Sequence, residues 1–162
     1  MRINGTYAQT ELGHGSNVAQ LETTATFDKA TDEFIINSPT ISSTKFWPGD
    51  LGLISNYACV YAQLIIEGKR HGVQPFIVPL RDLETHLPLK GVEVGDIGPK
   101  FGYNSKNNGY CRFDNLRIPR NNLLMRFVQV DREGNFKTKG DLRFLYSVML
   151  FIRVQIIQAA GN

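Results

Sequence analysis

The sequence predicts a mainly β domain, an antiparallel barrel or sandwich, followed by one long helix. From Tyr7 to about Asp131 apolar residues recur mostly with a period of two, in short runs separated by turn-forming residues. Several short strands at such a spacing are typical of antiparallel barrels and sandwiches. Beyond Asn135 the apolar period becomes helical, at Leu142, Leu145, Val148, Met149, Ile152 and Ile156.

The strands follow from local patterns taken in order along the chain. Residues 7–17 combine a short strand with a glycine-punctuated turn. Residues 24–28 and 33–37 alternate on either side of a polar turn, which predicts a hairpin. Further apolar runs predict strands at 57–66, 73–80, 91–97 and 109–118.

The C-terminal segment has the pattern of a buried helix. Asp141 is a plausible N-cap, and Phe151 and Val154 extend the apolar surface around most of the helix. Arg143 and Arg153 interrupt the apolar run, so a membrane span is not expected. A helix that is apolar nearly all round needs burial on several sides. We therefore expect residues 1–138 to form the β domain and residues 139–162 to be the first helix of a helical domain truncated in this chain.

Composition and charge argue against a nucleic-acid-binding protein and against a metal site. The 162 residues carry a net charge of +3, and the basic residues are scattered, which argues against nucleic-acid binding. Cys59 and Cys111 lie in apolar runs and have no metal-ligand spacing, so we interpret both as small buried hydrophobic residues. The histidines are not grouped with them. No metal site is predicted.

The sequence contains no self-sufficient active-site motif for hydrolysis, metal catalysis or nucleotide binding. Its loop carboxylates are interpreted as solvated turn residues rather than tuned bases, and no catalytic residue is assigned. These carboxylates are Glu11, Asp50, Glu67, Asp82 and Glu84.

Two segments of the sequence have features that suit contact with the flat, polar ring of a cofactor. In residues 7–17, a strand edge offers backbone N–H groups, and glycines allow the main chain to approach closely. In residues 44–52, Trp47 precedes a Pro-Gly pair. On its own, Trp47 could plug the end of the barrel above a tight turn, or its indole could pack on a cofactor face beside Gly49.

Together, the Tyr-Ala-Gln-Thr-Glu and Lys-Phe-Trp-Pro-Gly runs resemble the flavin-contacting segments of the peroxisomal acyl-CoA oxidases, relatives of the acyl-CoA dehydrogenases. Residues 21–26, 95–102 and 114–120 also resemble this family, in the same order along the chain. The resemblance covers nearly the whole chain. It implies the middle β-domain of the acyl-CoA dehydrogenase-like fold, followed by the start of the C-terminal helical domain.

The resemblance also implies an FAD site. Thr10 would hydrogen-bond the pyrimidine edge of the flavin, Gln9 would supply backbone contacts, and Trp47 would lie against the isoalloxazine. Gly49 would approach the ring near N5, where the dehydrogenase relatives usually place Thr or Ser. A missing side chain at Gly49 would leave a small space for O2. Many of the oxidases have two tryptophans where this chain has Phe46 and Trp47.

The implied function is the conversion of acyl-CoA and O2 to trans-2-enoyl-CoA and H2O2, in a peroxisomal homodimer. The family's catalytic glutamate belongs to the C-terminal helical domain, so this chain alone is expected to be inactive. No targeting signal is expected in the chain, whose last residues are not Ser-Lys-Leu. Two alternatives stay open: an acyl-CoA dehydrogenase, against which Trp-Pro-Gly argues, and a non-catalytic β-barrel that binds a lipid or a partner.

Overall fold

The computed structural model describes residues 3–139 and 143–161, and in them the predicted mainly β fold with a C-terminal helix is confirmed. Short 3₁₀ turns lie at Val18–Gln20 and Arg120–Asn122. The strands are β1 (Gly5–Ala8), β2 (Thr24–Asp28), β3 (Glu33–Asn37), β4 (Lys45–Gly49), β5 (Tyr57–Ile66), β6 (Lys69–Pro79), β7 (Val92–Asp96), β8 (Asn108–Phe113), β9 (Leu116–Pro119), β10 (Val128–Val130) and β11 (Phe136–Thr138), and the helix is α1 (Arg143–Ala160).

The largest sheet is organised around the long strand β5. On one edge of β5, β1 pairs with residues 57–60 and β2 with residues 63–65, both in parallel orientation. On the other edge β6 runs antiparallel to it, and β3 and β9 extend the sheet beyond β2. A second sheet has the order β4-β8-β7, and β10 pairs with β11. The two parallel pairings are long-range contacts that the period-two pattern does not reveal.

The core lies between these sheets and is formed by the buried residues of each alternating strand. The predicted hairpin is confirmed, since Ala25 and Phe27 of β2 are buried opposite Ile36 and Phe34 of β3. The Phe34 ring meets that of Phe76 at 5.1 Å in a T-shaped contact, a geometry that aromatic pairs prefer. Burial of one face of each strand explains why the alternation was a reliable signal.

Two predicted strands differ from the structure at turns. The strand predicted at 73–80 begins earlier, at Lys69, because Glu67 and Gly68 have φ values of 48° and 75° and close a two-residue hairpin turn. The run 109–118 is two strands, β8 and β9. It is interrupted at Asn115, whose φ is 49° and whose side chain type tolerates the left-handed region.

The helix α1 presents exposed apolar side chains. Its predicted N-cap, Asp141, lies outside the described residues. Of the helices that the structure describes, none is long and apolar enough to cross a membrane. Large apolar residues of α1 are 50–72% exposed, namely Leu150, Phe151, Ile152, Val154, Ile156 and Ile157.

Candidate functional site

The segment that follows β1 lies directly beside β4, so the fold brings the two predicted cofactor-contacting segments together. Phe46 N donates to Thr10 O at 3.0 Å, and Leu12 N donates to Thr44 O at 2.8 Å. These two bonds flank Glu11 and Lys45, which face each other as an antiparallel bridge. Gln9 and Thr10 are thereby held on one side of β4, the strand that carries Trp47 and Gly49.

Trp47 projects outward from an irregular part of β4. The β4–β8 register shifts between Phe46 and Gly49, and Trp47 has a φ of 85°, a rare conformation for a bulky residue. Bulges re-aim side chains, and the indole is 51% exposed with the Phe46 ring 5.9 Å away. Asn108 Nδ2 donates to Trp47 O at 2.7 Å and holds this backbone. The interpretation of Trp47 as a plug for the barrel end is wrong.

The Gln9 side chain is almost buried and is oriented by a phenol. Tyr7 Oη donates to Gln9 Oε1 at 2.7 Å. Burial raises the pKa of Tyr7, so the phenol keeps its proton and acts as the donor in this bond. The Tyr7 ring in turn packs on Tyr61 of β5, with centroids 5.2 Å apart. The position of Gln9 is therefore set by the large sheet.

Thr10 offers free polar groups at this site. Its carbonyl accepts the bond from Phe46 N, and a regular antiparallel pair would return a bond from Thr10 N–H to Phe46 O. Within the described residues that reciprocal bond is not formed, and the Thr10 hydroxyl has no partner. Two donors on one half-buried residue are thus left for a ligand.

Glu11 and Lys45 form a fully buried ion pair behind these residues. The two side chains are 0% exposed, and Lys45 Nζ lies 3.0 Å from Glu11 Oε1. Lys45 Nζ also donates to Gln9 O at 3.1 Å and to Tyr61 O at 2.6 Å, while Glu11 accepts from Thr23 N at 3.0 Å. Burial lowers the pKa of Lys45 to about 8, and Glu11 opposes that shift. The interpretation of Glu11 as a solvated turn residue is wrong.

Gly49 lies under a lysine side chain. Thr6 Oγ1 donates to Gly49 O at 2.7 Å, which ties β1 to β4. A Cβ built on Gly49 would lie 2.8 Å from Lys106 Cε, and Lys106 Nζ is held 2.8 Å from both carboxylate oxygens of Asp50. The space expected beside Gly49 is therefore covered by a flexible stem rather than empty.

Several residues of this site were not predicted from the sequence. Lys45 immediately precedes the aromatic pair, and its burial becomes visible only when Glu11, 34 positions earlier, is placed beside it. Asn108 and Lys106 lie in and before β8, and nothing in their local pattern indicates contact with β4. Among the described residues, no group of three histidine, cysteine or acidic side chains could hold a metal ion.

The chain belongs to the family of the acyl-CoA dehydrogenase middle domain, whose model matches residues 6–116. Within that family it is similar to acyl-CoA oxidases, as its sequence motifs predicted. It is 54% identical to peroxisomal acyl-coenzyme A oxidase 1 of Cavia porcellus, over 100% of this chain and 24% of that protein. The chain thus spans about a quarter of the length of that curated relative.

Solved structures of acyl-CoA oxidases have the same fold. Arabidopsis thaliana acyl-CoA oxidase 1 superposes with a TM-score of 0.94 at 52% identity, over 100% of this chain and 25% of that one. Acyl-CoA oxidase-2 of Caenorhabditis elegans, a structure bound with FAD, ascaroside-CoA and ATP, has a TM-score of 0.92 at 52% identity, over 96% of this chain and 23% of that one.

Proposed function

We propose that this chain is the flavin- and substrate-contacting middle domain of an FAD-dependent acyl-CoA oxidase. Residues 1–138 would form the β domain, and residues 139–162 the first helix of a helical domain, which fits the exposed apolar side chains of α1. The observation that carries the proposal is the juxtaposition of Gln9 and Thr10 with Trp47 and Gly49 across the Thr10–Phe46 bond.

The residues present fit an FAD ring. The free N–H and hydroxyl of Thr10 suit the acceptor-rich pyrimidine edge, and the half-exposed indole of Trp47 offers an aromatic face. Gly49 leaves its backbone accessible once the Lys106 stem moves. When bound, FAD would accept a hydride from the acyl-CoA and pass both electrons to O2, which yields H2O2.

The role of this chain in that reaction is to bind and orient. The two carboxylates that neighbour Thr10 and Gly49 in the sequence are not free bases, because Glu11 is paired with Lys45 and Asp50 with Lys106. The substrates would be acyl-CoA and O2, the complete enzyme a homodimer, and its location the peroxisome. The oxidase relatives that carry peroxisomal names support the last point.

Two alternatives are less well supported. An acyl-CoA dehydrogenase would share the fold, but glycine at position 49 and the likeness to oxidases favour reaction with O2. The second alternative is a non-catalytic β-barrel that binds a lipid or partner. It would not explain why Trp47 points outward with a strained φ of 85°, beside a Thr10 residue that has free hydrogen-bond donors.

The first prediction concerns flavin uptake by the complete enzyme. We expect Thr10→Ala and Trp47→Ala each to weaken FAD binding by about tenfold, since each removes one hydrogen bond or one aromatic contact to the ring. Titration of the apoenzyme with FAD, followed by the quenching of flavin fluorescence, gives the dissociation constant. Peroxide formation with a long-chain acyl-CoA reports activity. The 162-residue chain alone is expected to form no peroxide.

Thr138→Ala is the matched control, because it removes a hydroxyl from an exposed position of β11. It should bind FAD as the unaltered enzyme does. If the complete enzyme takes up no FAD, the proposal fails. If the isolated chain binds acyl lipids without flavin, the non-catalytic alternative is favoured instead.

The second prediction concerns the covered space at Gly49. In the complete enzyme Gly49→Thr should slow reoxidation of the reduced flavin by O2 about tenfold or more, because its side chain would fill the space that opens to O2 when the flexible Lys106 stem moves aside. Lys106 can yield, since the atom nearest the new Cβ is the far end of a flexible chain. Stopped-flow mixing of reduced enzyme with O2 measures this rate.

Gly102→Thr serves as the control, because a Cβ at Gly102 meets nothing within 4 Å. Its reoxidation rate should equal that of the unaltered enzyme. An unchanged rate in Gly49→Thr would show that the space beside Gly49 does not govern access of O2.

A further inference from the structure

The buried lysine of β4 bonds to a peptide that the proposed flavin site uses. Lys45 Nζ donates to Gln9 O at 3.1 Å, and Gln9 O belongs to the same peptide unit as Thr10 N–H. The described part of the chain has only trans peptide bonds. In a trans peptide the C=O and N–H groups point in opposite directions. With Gln9 O turned toward Lys45, the N–H of Thr10 points away from the buried ammonium.

Lys45 also occupies a gap in the large sheet. Along one edge of β5, β1 ends its pairing at Val60 and β2 begins at Gln63. Tyr61 O, in the gap between them, accepts a bond from Lys45 Nζ at 2.6 Å. Lys45 of β4 therefore links β5 to the segment after β1, at a position where neither β1 nor β2 pairs with β5.

Glu11 holds the ammonium in this position. Its carboxylate lies 3.0 Å from Lys45 Nζ, and it accepts bonds from the backbone N–H groups of Glu22 and Thr23 at 2.8 and 3.0 Å. A buried carboxylate with these partners is fixed in direction, and it offsets the charge of Lys45. Neither side chain reaches solvent, so the pair is not placed to touch a ligand itself.

We propose that Lys45 is a positioning residue for the flavin site: its ammonium turns and polarises the Gln9–Thr10 peptide so that Thr10 N–H is presented to the ring edge. This inference rests on the proposed function. A cation bonded to a peptide carbonyl strengthens the N–H of that peptide as a donor. The same ammonium fixes the distance between residues 9–10 and the backbone of β4 that leads to Trp47.

The test compares variants of the complete enzyme in which both charges are removed together. Lys45→Met with Glu11→Gln eliminates the ion pair but leaves no unpaired buried charge, so the fold should be retained. We expect its FAD dissociation constant to rise about tenfold. The visible absorption bands of its bound flavin should also shift, because one donor to the ring edge is no longer fixed. The matched control is Lys29→Met with Glu133→Gln, the same changes in an exposed ion pair.

Each outcome is decisive. A shifted flavin spectrum and weaker FAD binding in the Lys45 double variant, at an unchanged thermal midpoint and with a normal control, support the positioning role. An unaltered spectrum and dissociation constant would overturn it and leave the flavin proposal intact. If the unaltered enzyme takes up no FAD, both proposals fall. Should the Met variant not fold, Lys45→Gln with Glu11→Gln, which retains polar groups in the gap, is judged by the same two measurements.

Discussion

Replacing Glu11 by alanine should destabilise the protein by about 3–5 kcal/mol, because Lys45 would be buried without a counter-charge, and either keeping the ammonium or losing its proton costs free energy. Thr23 N would also lose its acceptor. Both consequences lie in a region with no access to water, where an unpaired charge or donor is most costly. Unfolding in urea, followed by circular dichroism at neutral pH, measures the difference in the free energy of unfolding.

Glu133→Ala is the control for this prediction. It removes the carboxylate of an ion pair that is shorter still, Lys29 to Glu133 at 2.7 Å, whose side chains are 54% and 66% exposed. Water replaces the lost partner there, and no measurable loss is expected. Equal losses in the two variants would mean that Glu11 and Lys45 contribute no more than a surface pair, against the burial in the structure.

This ion pair is also an example of a long-range contact that cannot be predicted from the sequence. The hairpin of β2 and β3 was predicted because its alternation is local and one face is buried. Lys45 and Glu11 instead depart from the general rule that charged residues are exposed, and each can be buried only because the other is its partner. No local pattern records a partner 34 residues away.

The candidate site likewise has one part that sequence motifs predict and one part that only the structure shows. The residues Gln9, Thr10, Trp47 and Gly49 came from a resemblance of short motifs, and the structure brings them to the two sides of one backbone pairing. The outward direction of Trp47 depends on the bulge between Phe46 and Gly49, which is a matter of register with β8. Register is decided by packing of the whole sheet, so the sequence alone left two roles open for Trp47.

A second large effect is expected at Gly109, where two backbones touch. A Cβ on Gly109 would lie 2.8 Å from Gly52 Cα and 2.9 Å from Leu51 C, distances that real side chains do not adopt. Both of these atoms belong to the main chain and cannot rotate away, whereas the Lys106 side chain that lies against Gly49 can. Gly109→Ala should therefore cost about 3 kcal/mol of unfolding free energy, at the upper end for an overpacked site. Thermal and urea unfolding measure the loss.

Gly109→Ala should also weaken binding at the proposed flavin site. Gly109 is adjacent to Asn108, which pairs with Gly49 in the β4–β8 ladder and donates to Trp47 O. Moving β8 away from the turn after β4 would disturb both contacts, so the complete enzyme carrying Gly109→Ala should bind FAD more weakly as well. Gly102→Ala, at an open position, is the matched control and should change neither property. A Gly109→Ala protein as stable as the control would show that the close approach of residues 109 and 52 is not a constraint on this fold.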